Sequence, residues 1–113
     1  MSRIYKILPR DAWQAALAAR RYNGSPLDRQ DGFIHFSSAE QAQETARRHF
    51  AGQEDLVVLA VEASDLGPAL KWERSRGGDL FPHLYAHLDT ALVRAVTEAP
   101  LGPDGAPRLE LDP

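Results

Sequence analysis

The sequence contains no cysteine, and this absence removes several classes of protein. Without cysteine there is no disulfide framework, no catalytic thiolate and no zinc site built on sulfur. No apolar run approaches the roughly 20 residues that a membrane-spanning helix needs. The first residues also lack the apolar stretch of a signal peptide. We therefore expect a cytoplasmic protein with no membrane association.

A basic surface is missing as well. The net charge is −3, and residues 101–113 contribute −2 of it through three acidic residues and one arginine, which leaves −1 for the rest. Non-specific binding to nucleic acid needs a basic field, so it is not expected. Arginine accounts for 11 of the 13 basic residues, and this leaves room for a local phosphate site because arginine suits bidentate phosphate recognition.

The length of 113 residues and the apolar fraction of 43% predict one domain with a modest core. We assign residues 1–100 to this single domain. Residues 101–113 contain Pro103, Pro107 and Pro113 together with glycine and acidic residues. That composition predicts a loosely attached acidic tail.

The first half of the chain predicts alternating strands and helices. The apolar spacing favours a strand over residues 4–8 and a helix from Pro9 to about Arg21, with Trp13 and Leu17 in the core. Residues 22–26 have the composition of a loop.

A second strand is predicted over residues 33–37, and a helix follows it directly. Ser37 with Glu40, and Ser38 with Gln41, both fit the capping-box spacing that marks a helix start. The sequence thus offers two candidate first residues for this helix.

The second half of the chain is typical of strands. Residues 56–61 form a continuous apolar run, which predicts a central strand covered on both faces. Residues 70–73, 80–88 and 92–98 look extended, although Pro82 disfavours a central position in a sheet. Because helices come early and strands come late, we predict an α+β fold with a mainly antiparallel sheet.

The segment of residues 31–38 is the most informative for function. Alternation along a strand places Phe33, His35 and Ser37 on one face, where the two polar groups could meet a ligand. Two structural alternatives stay open. His35 could be a buried histidine bonded to the backbone, and Ser37 could cap the helix.

Residues 71–78 form a second polar cluster. Arg74 and Arg76 could supply charged donors to an anion, and the amides of Gly77 and Gly78 could approach it closely. The alternative is a solvated surface loop in which Glu73 pairs with one of the two arginines.

A third cluster contains His83, Tyr85 and His87, which share one face if the segment is extended. If the segment is helical, His83 and His87 could bind a metal with His35, His49 or Glu73 as the third ligand. No HExxH or comparable signature is present. We therefore expect an organic ligand and no metal cofactor.

The motifs together resemble a bacterial family called domain of unknown function 952. The matching segments are residues 4–7, 31–37, 49–50, 70–73 and 81–85, within a match over most of residues 3–98.

The resemblance implies an ADP-ribosyltransferase-like fold, in which a mainly antiparallel split sheet with two early helices binds NAD. By the same resemblance His35 would contact the ribose, Ser37 would orient it, and Tyr85 would stack on a ring. Arg74 or Arg76 would meet phosphate. The implied partner is a small nucleotide.

The glutamate of the third ADP-ribosyltransferase motif has no clean counterpart, since Glu73 lies earlier than that motif would place it. Glu73 and His83 are the candidate catalytic residues of an ADP-ribosyl or 2'-phosphotransferase-like reaction. One alternative is a non-catalytic binding or interaction module with the same fold. Another is a metal-dependent enzyme built on His35, His83 and His87.

Overall fold

The computed structural model describes residues 2–111, apart from the side chain of Arg76. The predicted phosphate contact of Arg76 therefore lies outside the described residues, as do Met1 and the last two residues of the predicted tail. The helices are α1 (Arg10–Ala19), α2 (Pro26–Asp31) and α3 (Ala39–His49). The strands are β1 (Arg3–Pro9), β2 (Arg21–Tyr22), β3 (Ile34–His35), β4 (Ser37–Ser38), β5 (Leu56–Glu62), β6 (Leu70–Arg74), β7 (Leu80–Leu84), β8 (Leu88–Asp89) and β9 (Val93–Glu98). No helix in this part of the chain is long and apolar enough to cross a membrane.

The largest sheet has the order β4-β1-β5-β9, and its neighbouring strands are antiparallel. Residues 56–61 of β5 are all buried, because β1 and β9 flank the strand and packed layers cover both faces. This confirms the predicted central strand and the α+β class with mainly antiparallel sheets.

The two faces of this sheet carry separate cores. On one face Trp13 and Ala16 of α1 pack over the sheet, and on the other Ala42 and Ala46 of α3 do so. Leu17 is 49% exposed, so its predicted core position was wrong. Its side chain lies about 100° around the helix from Ala16, which turns it toward solvent.

A second sheet has the order β3-β7-β6, so β7 is central in spite of Pro82. The expectation that Pro82 disfavours a central position in the sheet was therefore wrong. Proline lacks an N–H group but still accepts, and the Pro82 carbonyl accepts from the Phe36 N–H at 3.0 Å just beyond the end of β3. The missing N–H group removes at most one ladder hydrogen bond. A small third sheet pairs β2 with β8.

The predicted strand over residues 33–37 is divided between two sheets. β3 pairs with β7, whereas β4 pairs with β1, and buried Phe36 lies between them. The chain therefore crosses from one sheet to the other at this residue. Phe36 packs into the same core as Ile34, as the predicted alternation requires.

The loop predicted over residues 22–26 contains two elements that the sequence analysis missed. Tyr22 is buried in β2, and Ser25 is the N-cap of α2, which has Pro26 as its first residue. Gly32 ends α2 with a φ of 90°, a conformation that favours glycine. This short helix matters because it carries Asp28.

Residues 101–111 are held against the domain, so their predicted loose attachment was wrong. The Gln43 side chain of α3 donates to the Pro107 carbonyl at 2.8 Å and accepts from the Leu109 N–H at 3.0 Å. Leu109 and Leu111 pack against the core on the α3 side of the sheet. These residues cover an apolar surface that the sheet alone would leave open.

Candidate functional site

A cavity of about 310 Å³ lies where β1, α2, α3 and β7 meet near the β3–β4 crossing. Its polar lining includes Lys6, Asp28, His35, Ser37 and His83. Three of these, His35, Ser37 and His83, were candidate site residues from the sequence. Lys6 and Asp28 were not.

Asp28 is the centre of a buried hydrogen-bond network. Its Oδ2 accepts from Lys6 Nζ at 2.8 Å and from the Ser25 N–H at 2.9 Å. Its Oδ1 accepts from the His35 N–H at 3.1 Å and lies 2.6 Å from His35 Nδ1. Ser25 and Asp28 form a capping box, and that spacing was the sequence signal that could have pointed to Asp28.

The charges of this network are compensated inside the protein. Burial by itself would raise the pKa of Asp28, but hydrogen bonds from His35 and Lys6 and the positive charge of Lys6 hold that pKa below its ordinary value. Burial lowers the pKa of Lys6, and the carboxylate of Asp28 opposes this. The carboxylate makes hydrogen bonds through both oxygens, so it holds the wall of the cavity in place.

His35 is fixed by carboxylates on both sides of its ring. Nδ1 faces Asp28 at 2.6 Å, and Nε2 faces Asp31 Oδ2 at 3.1 Å. Backbone contacts alone therefore do not account for the ring, which stands in the cavity wall with its side chain 29% exposed. The side chain of Asp31 is 38% exposed. Its carboxylate can therefore move away from Nε2, or it can accept a hydrogen bond from a ligand hydroxyl that also contacts Nε2.

Ser37 does not cap α3. Ser38 is the N-cap, and its N–H donates to Gln41 Oε1 at 3.0 Å. Ser37 Oγ lies 2.9 Å from Thr45 Oγ1, which itself donates to the Gln41 carbonyl at 3.1 Å. Since a hydroxyl has one proton, Ser37 is the donor in the Ser37–Thr45 pair, and its oxygen keeps acceptor capacity for a ligand.

His83 is backed by a carboxylate and a phenol. Its Nδ1 lies 2.8 Å from Glu73 Oε1, and the Tyr85 hydroxyl donates to the same oxygen at 2.7 Å. The hydrogen bond from Tyr85, and then the one from His83, lower the pKa of Glu73. When Nδ1–H donates to this carboxylate, a neutral ring has its lone pair on Nε2.

The other ring nitrogen of His83, Nε2, lies in a different environment. Nε2 is buried and finds no hydrogen-bond partner among the residues that the structure describes. The ring stacks on Phe33 with centroids 4.0 Å apart, and it lies 5.5 Å from the ring of His35. His35 and His83 are paired residues of β3 and β7, and cross-strand partners share a face.

The remaining candidates lie away from the cavity. Arg74 is exposed and donates to the Gly78 carbonyl at 2.9 Å. Glu73 and Tyr85 lie behind His83 and are not part of the described lining. Within residues 2–111 no group of three or more histidine or carboxylate side chains is arranged to hold a metal ion. The set of His35, His83 and exposed His87 therefore does not form the metal site of that alternative.

The arrangement suits a small organic ligand. Ser37 can accept a hydrogen bond, His35 is held in one orientation, and His83 lines the cavity with a buried Nε2 that has no partner among the described residues. Apolar side chains, among them Leu27, Phe36 and Phe50, line the rest of the cavity. Convergent polar groups in an apolar cavity of this size are typical of ligand sites.

Solved structures of one protein resemble 95% of this chain. A crystal structure of protein CC0527 from Caulobacter crescentus is 54% identical, with a TM-score of 0.93, and the match covers 95% of this chain and 94% of that one. A solution NMR structure of CC0527 is 55% identical, with a TM-score of 0.86 and coverage of 95% and 92%. No curated protein matches the chain. Residues 7–96 match the model of the family described as "Protein of unknown function (DUF952)", and the chain belongs to that family.

Proposed function

We propose that the cavity binds NAD or an ADP-ribose-like nucleotide within an ADP-ribosyltransferase-like fold in the cytoplasm. The observation that carries this proposal is the pair of His35 and Ser37 at the cavity wall, with His35 held by Asp28. A ribose offers hydroxyl groups that can donate to Ser37 Oγ and exchange hydrogen bonds with His35 Nε2. The apolar lining would cover a flat ring of the nucleotide.

The proposed reaction breaks the bond between ribose C1 and the nicotinamide nitrogen. The electron pair of that bond leaves with nicotinamide, which departs as a neutral molecule. An acceptor oxygen or nitrogen forms the new bond to C1, and its proton passes to His83 Nε2. Glu73 stabilises the imidazolium that results, because its carboxylate faces Nδ1. In this assignment Glu73 is a positioning residue and His83 is the catalytic base.

The test is a thermal-shift titration of the purified protein with NAD, ADP-ribose and a 2'-phosphorylated oligonucleotide. A ligand that binds only the folded state raises the melting temperature. We expect a shift with NAD or ADP-ribose that His35→Ala removes. His87→Ala is the matched control, because His87 is exposed and does not line this cavity.

Retention of the full shift by a folded His35→Ala variant would contradict the proposal. If His35→Ala does not fold, Ser37→Ala gives the same information, since its loss removes the acceptor while His35 keeps Asp28. An unchanged nucleotide shift in Ser37→Ala would then count against the ribose assignment.

A non-catalytic binding module is the second candidate, and the position of Glu73 favours it. Glu73 does not line the cavity, and its Oε1 is shared between His83 and Tyr85. The double variant Glu73→Gln with His83→Gln separates the candidates. An enzyme loses release of nicotinamide in this variant, whereas a binding module shows no release even in the wild type and keeps its affinity.

A further inference from the structure

A second cavity of about 350 Å³ adjoins the first. Phe33 lines the second cavity and His83 lines the first, and their stacked rings lie 4.0 Å apart. Asp28 contributes to the lining of both cavities. The stacked pair and the Asp28 network therefore form a shared wall between two separate spaces.

The second cavity has an apolar floor and polar groups that the protein itself leaves unused. Phe33, Ile34 and Leu84 are part of the lining, and Arg29 and His87 lie beside them. Both side chains are exposed, and neither makes a hydrogen bond or an ion pair with the side chains and backbone groups that the structure describes. An exposed guanidinium next to aromatic and aliphatic surface suits an anion that carries an apolar ring.

Tyr85 connects this cavity to the first one. Tyr85 lines the second cavity, and its hydroxyl donates to the Glu73 oxygen that also faces His83 Nδ1. A change in the Tyr85 hydrogen bond alters what Glu73 accepts from His83. His83 in turn lines the first cavity, where its Nε2 is unpartnered.

We propose that the second cavity is a binding site for a small aromatic carboxylate, held by Arg29 over the Phe33 side of the shared wall. Binding at this site changes the hydrogen bond between His83 and Glu73, because Tyr85 donates to the same Glu73 oxygen. This inference does not depend on the identity of the ligand in the first cavity.

Benzoate is the probe, followed by two-dimensional NMR of backbone amides and histidine ring nitrogens. We expect saturable shifts at Gly32, Phe33 and the amides of residues 85–87. Arg29→Gln should weaken benzoate binding about tenfold or more, since a charge-assisted hydrogen bond is lost. Arg108→Gln is the matched control, because Arg108 is an exposed arginine that lines neither cavity. Inorganic phosphate, which has charge but no ring, should bind more weakly than benzoate.

Three results would overturn the proposal. The first is the absence of saturable shifts at these residues. The second is an unchanged benzoate affinity in Arg29→Gln, and the third is a phosphate affinity equal to that of benzoate. The connection has its own readout, because saturating benzoate should move the His83 ring signals in the wild type and move them less in Tyr85→Phe, where only the stacked Phe33 ring links the two sites. Equal movement in the two proteins would overturn the connection. Unmoved His83 signals in the benzoate-saturated wild type would overturn the connection.

Discussion

Asp28 and Glu73 each face the Nδ1 atom of one histidine of the site, and the two carboxylates are held in opposite ways. In the Asp28 cluster (Lys6, Ser25, Asp28 and His35) the side chain of Asp28 is 2% exposed, and both of its oxygens accept hydrogen bonds. In the Glu73 cluster (Glu73, His83 and Tyr85) the side chain of Glu73 is 39% exposed, and the bonds converge on one oxygen.

The difference separates a structural role from a reactive one. The Asp28 cluster satisfies its own charges, so a ligand gains nothing from the carboxylate itself. The Glu73 cluster ends in a buried nitrogen that the described residues leave unsatisfied, and such groups in a native structure often have a functional explanation. We therefore expect substitutions of Lys6 and Asp28 to act on stability and those in the second cluster to act on function.

The largest effect is expected for Asp28→Asn. This change leaves the ammonium group of Lys6 buried without its counter-ion, and breaking a buried pair in this way costs about 3–5 kcal/mol of unfolding free energy. Urea denaturation measures the loss. The double variant Lys6→Met with Asp28→Asn should lose less than the sum of the two single changes, because no unpaired charge remains. Additive losses would show that the pair is not coupled.

The next effect is a dependence of stability on acidic pH. Since the pKa of Asp28 is lowered in the folded protein, its contribution is fully present above the ordinary aspartate value of 3.8. That contribution is lost as the pH falls below 3.8 toward the folded-state value. Urea midpoints measured from pH 6 downward should show this decline, and Asp28→Asn should have a shallower one. Equal slopes in the two proteins would mean that other carboxyl groups cause the decline.

A smaller loss, of about 1 kcal/mol, is expected for Ser37→Ala, because one hydrogen bond to Thr45 disappears. Ser37 thus combines a modest structural role with the ligand contact proposed above. Gln41→Ala is the comparison, since it removes the Ser38 capping contact of the same helix and an exposed hydrogen bond to the Leu80 carbonyl. Similar urea midpoints for both variants, with ligand affinity reduced in Ser37→Ala, would show that Ser37 has both a modest structural role and a role in ligand binding.

The smallest effect on stability is expected for Glu73→Gln. The residue is half-exposed, and an amide oxygen can still accept from Tyr85, so the urea midpoint should match that of the wild type. The Nδ1 partner of His83 loses its charge, however, and any reaction that uses His83 as a base should slow. A large fall in the urea midpoint of Glu73→Gln would remove the contrast between the two clusters.

The sequence predicted the parts of the fold that depend on long regular patterns. The apolar run of β5 and the capping residues of α3 are local signals that tertiary packing reinforced. α2 has six residues, which is too few for a helical period to show, and β3 and β4 have two each. Their positions follow from contacts between distant segments, which no local pattern contains.

The site was predicted in the same uneven way. His35, Ser37 and His83 stood out because polar residues in strand-like runs are unusual. Asp28 did not, since aspartate is rarely buried and its ordinary place is a turn. Lys6 lies in the middle of β1, where nothing in the sequence shows that its ammonium group meets a carboxylate 22 positions away.

The hydrogen bonds from the two backbone amides to Asp28 have a consequence for dynamics. The N–H groups of Ser25 and His35 both donate to this one side chain, which joins the start of α2 to β3 without a covalent link. Their amide protons can exchange with solvent deuterium only when their hydrogen bonds to the Asp28 carboxylate break. Exchange at these two amides therefore reports local opening of the segment that forms the cavity wall, in a protein with no ligand added.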